Sequence, residues 1–385
     1  MIVQQPTEDQ RLAVESFRKF LESEIRPIAR EYRDRHIPKE KMREITQGIA
    51  EFGLPGASVS EEHGGMGLSM VTEAMLFEEL CTVSLDIGLC VMINKGMAVT
   101  LSELPPSQAH IRDRYLADSL AGRSFGGFCI SEPDVGSNVA DIKTIARRDG
   151  DHFVLNGEKT WISNGHYADF VIVTARTGGP GQLSHIFVDR KEHGFESRNI
   201  DKIALNGQST AQVFFTDTRV PVSNIIWEEG NALKNTMKVF EKARANVGML
   251  SVGLMRAALE ASIAYAKDRR QFGKPIAAHQ LIAAKIAEMA TLLDASRLMC
   301  FRAFSMMDEG IRCDVQSSMA KWFATENAVK VCRDAVQLHG GNGLTKEFDV
   351  ERLAREAIVI PIPDGTTEIQ KLMISRALTG IGAFI

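Results

Sequence analysis

Pro363-Asp364-Gly365-Thr366-Thr367-Glu368-Ile369-Gln370 stands close to the C-terminus of a chain of 385 residues. After it, Leu372, Met373 and Ala377 recur with Ile369 at helical spacing, so the stretch is a loop that runs into a helix. Gly365 lets the backbone approach a ligand closely, and Thr366 is suited to cap the helix start. This arrangement presents one carboxylate, Asp364, to a bound molecule while main-chain N–H groups face the same place. The same residues also read as an ordinary capped helix whose aspartate favours the helix dipole. Other parts of the chain have to decide between the two.

Working outward, Gln337-Leu338-His339-Gly340-Gly341-Asn342-Gly343 lies upstream, and Asp268-Arg269-Arg270-Gln271-Phe272-Gly273-Lys274 before it. Earlier still come Phe128-Cys129-Ile130-Ser131-Glu132-Pro133 and Trp161-Ile162-Ser163-Asn164-Gly165. In this order, the stretches resemble the acyl-CoA dehydrogenase family, flavoproteins that desaturate acyl-CoA thioesters. The likeness runs over residues 8–378, nearly the whole chain.

The texture of the chain agrees with that order. Residues 8–120 are helical in pattern: Leu12, Phe17, Phe20, Leu21, Ile25 and Ile28 make one apolar stripe, with Arg11, Arg18, Lys19 and Glu22 facing away. Residues 53–68 are a glycine-rich loop, and a second helical block follows over 70–101 with a break near Val83-Ser84. From 122 the texture is β. Asp149-Gly150, Asn156-Gly157 and Asn164-Gly165 predict hairpin turns, and Phe170-Val171-Ile172-Val173 and His185-Ile186-Phe187-Val188 predict buried strands around a loop tip at 178–181. From 230 the pattern is helical again, with long amphipathic segments over 243–267, 279–307 and 314–338. The predicted fold is mainly α with a central β domain: an N-terminal helical domain (1–121), a small β-barrel domain (122–229) and a C-terminal four-helix bundle (230–385).

Composition bounds the rest. A net charge of -4 gives no reason to expect nucleic-acid or membrane binding, and no apolar run reads as a membrane span. Cys81, Cys90, Cys129, Cys300, Cys313 and Cys332 are scattered and lack C-x-x-C spacing, as expected of reduced packing residues in a cytoplasmic protein. No metal centre is expected.

The resemblance implies FAD as cofactor and a homotetramer. It places Phe128, Ile130, Ser131, Trp161 and Ser163 along the isoalloxazine, with the two serines as donors and Trp161 as a cover. It assigns Arg269, Gln271 and Phe272 to the diphosphate and adenosine of a neighbouring subunit's cofactor, with Gln337, Gly340 and Gly341 against the same ligand, and gives Thr366 and Glu368 the remaining FAD positions. Ser137 matches a residue near the pantetheine of coenzyme A, Arg244 an arginine that orients the base, and Asp364 with Gly365 the base position itself. The implied electron acceptor is an electron-transferring flavoprotein.

One departure matters. Most relatives carry glutamate where this chain has Asp364, and the alternative family position for a glutamate, just before Arg244, holds Ala243. Aspartate reaches about 1.5 Å less far, and a misplacement of that size costs roughly a hundredfold in rate. Asp86, in the apolar run Val83-Ser84-Leu85-Asp86-Ile87-Gly88, is then a second candidate base, although it also reads as part of a helix cap. Two aspartates in these places resemble a branch acting on alicyclic acyl-CoA esters in anaerobic aromatic degradation. The expected reaction is 1,4-elimination from cyclohex-1-ene-1-carboxyl-CoA with Asp86 as base and Asp364 shaping the carbonyl end. The alternatives are 1,2-dehydrogenation of cyclohexanecarboxyl-CoA or another short acyl-CoA by Asp364, a flavin monooxygenase on the same fold, and a silent flavin- or CoA-binding relative.

Overall fold

The computed structural model describes residues 5–179 and 181–383; Pro180 of the expected loop tip and the first four residues lie outside them. The N-terminal region is helical: α1 (Glu8–Phe20), α2 (Arg26–Glu31), α3 (Lys39–Ala50), α4 (Met70–Val83), α5 (Leu85–Ser102) and α6 (Ala109–Leu120). The break expected near Val83-Ser84 is real. Ser84 is extended, its N–H closes α4 on Leu80, and its hydroxyl accepts the Ile87 N–H to open α5. One residue thus ends one helix and starts the next, and it fixes the direction from which α5 enters the core.

The middle region is an eight-stranded sheet in the order β6-β7-β3-β2-β4-β5-β8, with β1 beside β4. The strands are β1 (Gly126–Cys129), β2 (Ile145–Asp149), β3 (His152–Ser163), β4 (Phe170–Arg176), β5 (Leu183–Asp189), β6 (Glu196–Asn199), β7 (Thr210–Pro221) and β8 (Ile225–Ile226). Asp149-Gly150 makes the tight turn between β2 and β3 as expected, since Asp149 pairs with His152. Asn156-Gly157 does not turn. It lies inside β3 at a shift in the β3–β7 register, where a Cβ on Gly157 would come within 2.5 Å of the Thr144 hydroxyl. Glycine is required there by a close approach, a reason that imitates a turn signal in sequence.

The C-terminal region holds α7 (Ala232–Asp268), a small hairpin of β9 (Arg270–Gln271) and β10 (Lys274–Pro275), α8 (Gln280–Asp308), α9 (Asp314–His339), α10 (Val350–Val359) and α11 (Thr367–Thr379). Residues from α4, α5, α7, α8, α9 and α10 share one hydrophobic core, so the N-terminal helices and the bundle are packed as one body. Arginines brace that junction. Glu79 of α4 is paired with Arg18 at 2.8 Å and Arg256 at 2.7 Å, and Glu78 with Arg297 at 2.7 Å. These carboxylates are buried, so removal of an arginine would leave a desolvated charge, the costly way to break such a pair. By length and composition alone, α5 and α7 are each apolar enough to cross a membrane, although the sequence leads to no expectation of a span. Their apolarity is used inside the protein, since 72% of α5 and 67% of the apolar 18-residue window of α7 are buried.

Candidate functional site

A cavity of about 2130 Å³ opens where the three regions meet. Small-molecule sites usually measure about 300–1,000 Å³, so this one has room for more than one large ligand. Its wall is mostly apolar, with Leu89, Met92 and Ile93 from α5 and Phe240, Val247 and Leu250 from α7. A few polar groups converge among them.

The β domain supplies Phe128, Ile130, Ser131, Trp161 and Ser163 to the wall. Trp161 has φ +62 and sits in a register shift of β3, which turns its ring out of the sheet, so the side chain is 60% exposed. A large aromatic held in the left-handed region is strained, and such strain is typical of ligand contacts. The segment before it is braced from below. Lys159, fully buried, donates to the Ile130 carbonyl and to Glu132, both at 2.9 Å, and Glu132 also accepts the N–H groups of Lys143 and Thr144. This ion pair fixes the loop that carries Ser131. Among the described residues, the hydroxyls of Ser131 and Ser163 make no intramolecular hydrogen bond, so they are available to a ligand.

The loop of residues 361–366 forms another part of the wall. Asp364 lines the cavity with φ +54, and its carboxylate accepts no hydrogen bond from the described residues. Gly365, at φ +92, follows it, and a Cβ there would press on the Gln370 side chain at 2.7 Å. Thr366 also lines the cavity and caps α11 by accepting the Ile369 N–H. Burial pushes the Asp364 carboxyl above its usual range, while the charges of Lys321 and Arg244 pull it back. Arg244 lines the cavity, is buried, and has its Nε without a partner among the described residues. A guanidinium left this way is an orphan in a pocket, and it acts electrostatically on Asp364.

Asp86 is placed differently. It stands in the first turn of α5 but is not among the residues that line the cavity. Its Oδ1 accepts the Gln208 N–H at 3.0 Å, and its carboxylate lies against Gly207, where an added Cβ would come within 2.7 Å of Cγ. Burial raises its pKa, while the Gln208 N–H, Arg352 and Lys202 oppose the rise. Asp86 is therefore outside the lining and is bonded to the main chain of Gln208, which does line the cavity.

Ser137 lines an exposed part of the cavity. Arg269, Gln271, Phe272, Gln337, Gly340, Gly341 and Glu368 do not reach it. Apart from Glu368, which lies exposed in the first turn of α11, they gather at the far end of α7 and α9. There the Tyr265 hydroxyl donates to the His339 carbonyl and Phe272 is 93% exposed. Two braces were missed from the sequence: Lys159 under Ser131, and Lys321 of α9, which donates to the carbonyls of Pro361 and Gly365. The available signal was a lysine among Ser317, Ala320 and Ala324 on the buried face of a helix.

Three family models cover the chain: the acyl-CoA dehydrogenase N-terminal domain over residues 7–123, the middle domain over 127–218 and the C-terminal domain over 231–379. The chain belongs to the acyl-CoA dehydrogenase family. A probable acyl-CoA dehydrogenase of Bacillus subtilis is 35% identical, covering 97% of this chain and 98% of the relative. The caffeyl-CoA reductase–Etf complex subunit of Acetobacterium woodii is 33% identical over 92% of this chain and 97% of its own length. A glutaryl-CoA dehydrogenase from Mycobacterium smegmatis, solved in complex with FADH2, superposes with a TM-score of 0.90 at 28% identity, covering 99% of this chain and 97% of that one. As an acyl-CoA dehydrogenase the protein is a FAD-dependent oxidoreductase. The residues present fit that cofactor: the free hydroxyls of Ser131 and Ser163 supply donors, and the strained Trp161 offers a flat apolar surface.

Proposed function

We propose that this acyl-CoA dehydrogenase removes the α-proton of an alicyclic or short branched acyl-CoA with Asp364 as base, giving the α,β-unsaturated thioester. One observation carries the reading: Asp364 is a carboxylate of the cavity wall with no hydrogen-bonding partner among the described residues and two buried cations acting on it. Raised by burial, its pKa moves toward the range in which a carboxylate is an effective base. Arg244 keeps the ionised form accessible. The apolar stretch of Leu89, Met92, Ile93, Val247 and Leu250 suits a hydrocarbon acyl group. The shorter reach of aspartate favours a substrate whose α-carbon is carried closer to the loop than in a straight chain, and cyclohexanecarboxyl-CoA is the leading candidate. Bound FAD supplies the acceptor for the hydride that leaves the β-carbon.

A second reading keeps 1,4-elimination from cyclohex-1-ene-1-carboxyl-CoA, with Asp86 taking the more distant proton. What favours it is that Asp86 is a desolvated acid on the same helical face as Leu89 and Ile93, which line the cavity. It requires the carboxylate to part from the Gln208 N–H. Reoxidation by an electron-transferring flavoprotein belongs to the proposal, as does a homotetramer in which the exposed Arg269, Gln271, Phe272, Gln337, Gly340 and Gly341 meet the cofactor of a neighbouring subunit. Ser137 is proposed to contact the pantetheine.

The test is anaerobic titration of the FAD-loaded protein with cyclohexanecarboxyl-CoA, cyclohex-1-ene-1-carboxyl-CoA and butyryl-CoA, with product identification. Asp364→Asn is expected to abolish flavin bleaching by cyclohexanecarboxyl-CoA while Asp86→Asn preserves it. Loss of bleaching in Asp86→Asn alone, with a cyclic diene as the wild-type product, would establish the second reading instead.

A further inference from the structure

Lys321 is fully buried in α9, and no carboxylate among the described residues comes within salt-bridge distance of its ammonium. Burying a lone charge costs several kcal/mol, so its location calls for a reason. Its Nζ donates to the Pro361 carbonyl at 3.0 Å and to the Gly365 carbonyl at 2.6 Å. Those carbonyls bracket Asp364. A third contact closes the loop, because the Gln370 amide donates to the Gly365 carbonyl at 2.8 Å and to the Asp364 carbonyl at 3.3 Å. Asp364 is thereby kept in a left-handed conformation that an unrestrained loop would relax.

We infer that Lys321 is a positioning residue for Asp364, pinning the 361–365 loop through its two flanking carbonyls and supplying the positive charge against which that carboxylate ionises. The inference rests on the reading of Asp364 as base. Charged groups reach this corner from every element packed on it: Lys321 and Glu326 from α9, Arg244 from α7, Glu368 from α11 and Asp364 from the loop. Burial lowers Lys321 to about 8, with Asp364 opposing and Arg244 adding to the fall. On Asp364 the order reverses: burial raises it, and Lys321 is the largest influence pulling it down. Loss of the lysine charge therefore moves the aspartate further up.

The test separates proton abstraction from hydride transfer by use of 3,3-dimethylbutanoyl-CoA, which has α-hydrogens and no β-hydrogen. Exchange of its α-hydrogens in deuterium oxide is followed by mass spectrometry across pH with the FAD-loaded enzyme. In Lys321→Gln, which loses the charge and keeps a donor, the acid limb is expected to move up by about 1 pH unit. In Lys321→Met the same shift is joined by a roughly tenfold or greater fall in the limiting rate as the loop loosens. Lys321→Arg is expected to restore the wild-type limb. An unmoved limb in Lys321→Gln overturns the inference, whereas exchange that survives in Asp364→Asn overturns the reading of the base instead. Should the Lys321 variants fail to fold, nitrogen-15 NMR of lysine side chains in the wild type decides. One ammonium is expected to titrate near 8 and to move to lower pH in Asp364→Asn; its indifference to that substitution overturns the inference.

Discussion

One aspartate lines the cavity and another lies outside its lining, and their neighbourhoods could hardly differ more. Asp86 is answered by the main chain: its oxygen accepts the Gln208 N–H, and its carboxylate fits against a glycine. Asp364 is answered by charge alone, with Lys321 and Arg244 acting at a distance and its oxygens uncommitted. A carboxylate that accepts backbone N–H groups is stabilised as an ion and spends its lone pairs on structure. A carboxylate held in place through its own backbone keeps them for a substrate. Desolvation raises both, so burial alone does not distinguish a base from a brace.

The comparison can be broken most directly at Asp364. Asp364→Asn is expected to lower the rate of α-proton exchange by about 10²–10⁴-fold, measured with a substrate that cannot transfer hydride. Asp364→Glu restores roughly 1.5 Å of reach. Its kcat/KM for butyryl-CoA is expected to rise by about tenfold or more, with a fall for cyclohexanecarboxyl-CoA, and an unchanged ratio between the two would remove reach as the basis of selectivity. Asp86→Ala, by contrast, is expected to cost about 1–3 kcal/mol of stability in chemical denaturation, because the buried Gln208 N–H loses its acceptor. Asp86→Asn keeps an acceptor and is expected to retain both stability and turnover.

The smallest effect concerns pH. Glu356 of α10 is buried beside Arg352, and burial pushes its pKa up to about 7. Its folded pKa exceeds the unfolded one, so its contribution favours the fold at low pH and fades as pH climbs from the ordinary carboxylate range through about 7. Glu356→Gln should flatten that part of the stability profile, and an unchanged slope would show that the group is charged throughout.

Local chemistry was legible in the chain, and long-range pairing was not. Ser84 and Thr366 were readable as caps because a cap is decided within a few residues. The three-part order of helix, sheet and helix followed from periodicity and turn residues. Asn156-Gly157 misled because a glycine demanded by Thr144, distant in sequence, looks the same as one demanded by a turn. Asp86 shares its helical phase with Leu89 and Ile93, but it stands one turn nearer the start of α5, and its bond to the Gln208 N–H, 122 residues away, is not visible in the sequence. Lys159 and Lys321 escaped because each matters through partners that folding brings to it, the Ile130 carbonyl and Glu132 for the first and carbonyls 40 or more residues away for the second.

Gly207 gives the contrast between the two acids a switch. Its bare α-carbon leaves the berth in which the Asp86 carboxylate rests, and even a methyl group at that position would evict the acid from it. A single enlargement at 207 would thus part the Asp86 carboxylate from the Gln208 N–H and cut the tie that holds the start of α5 to the turn before β7.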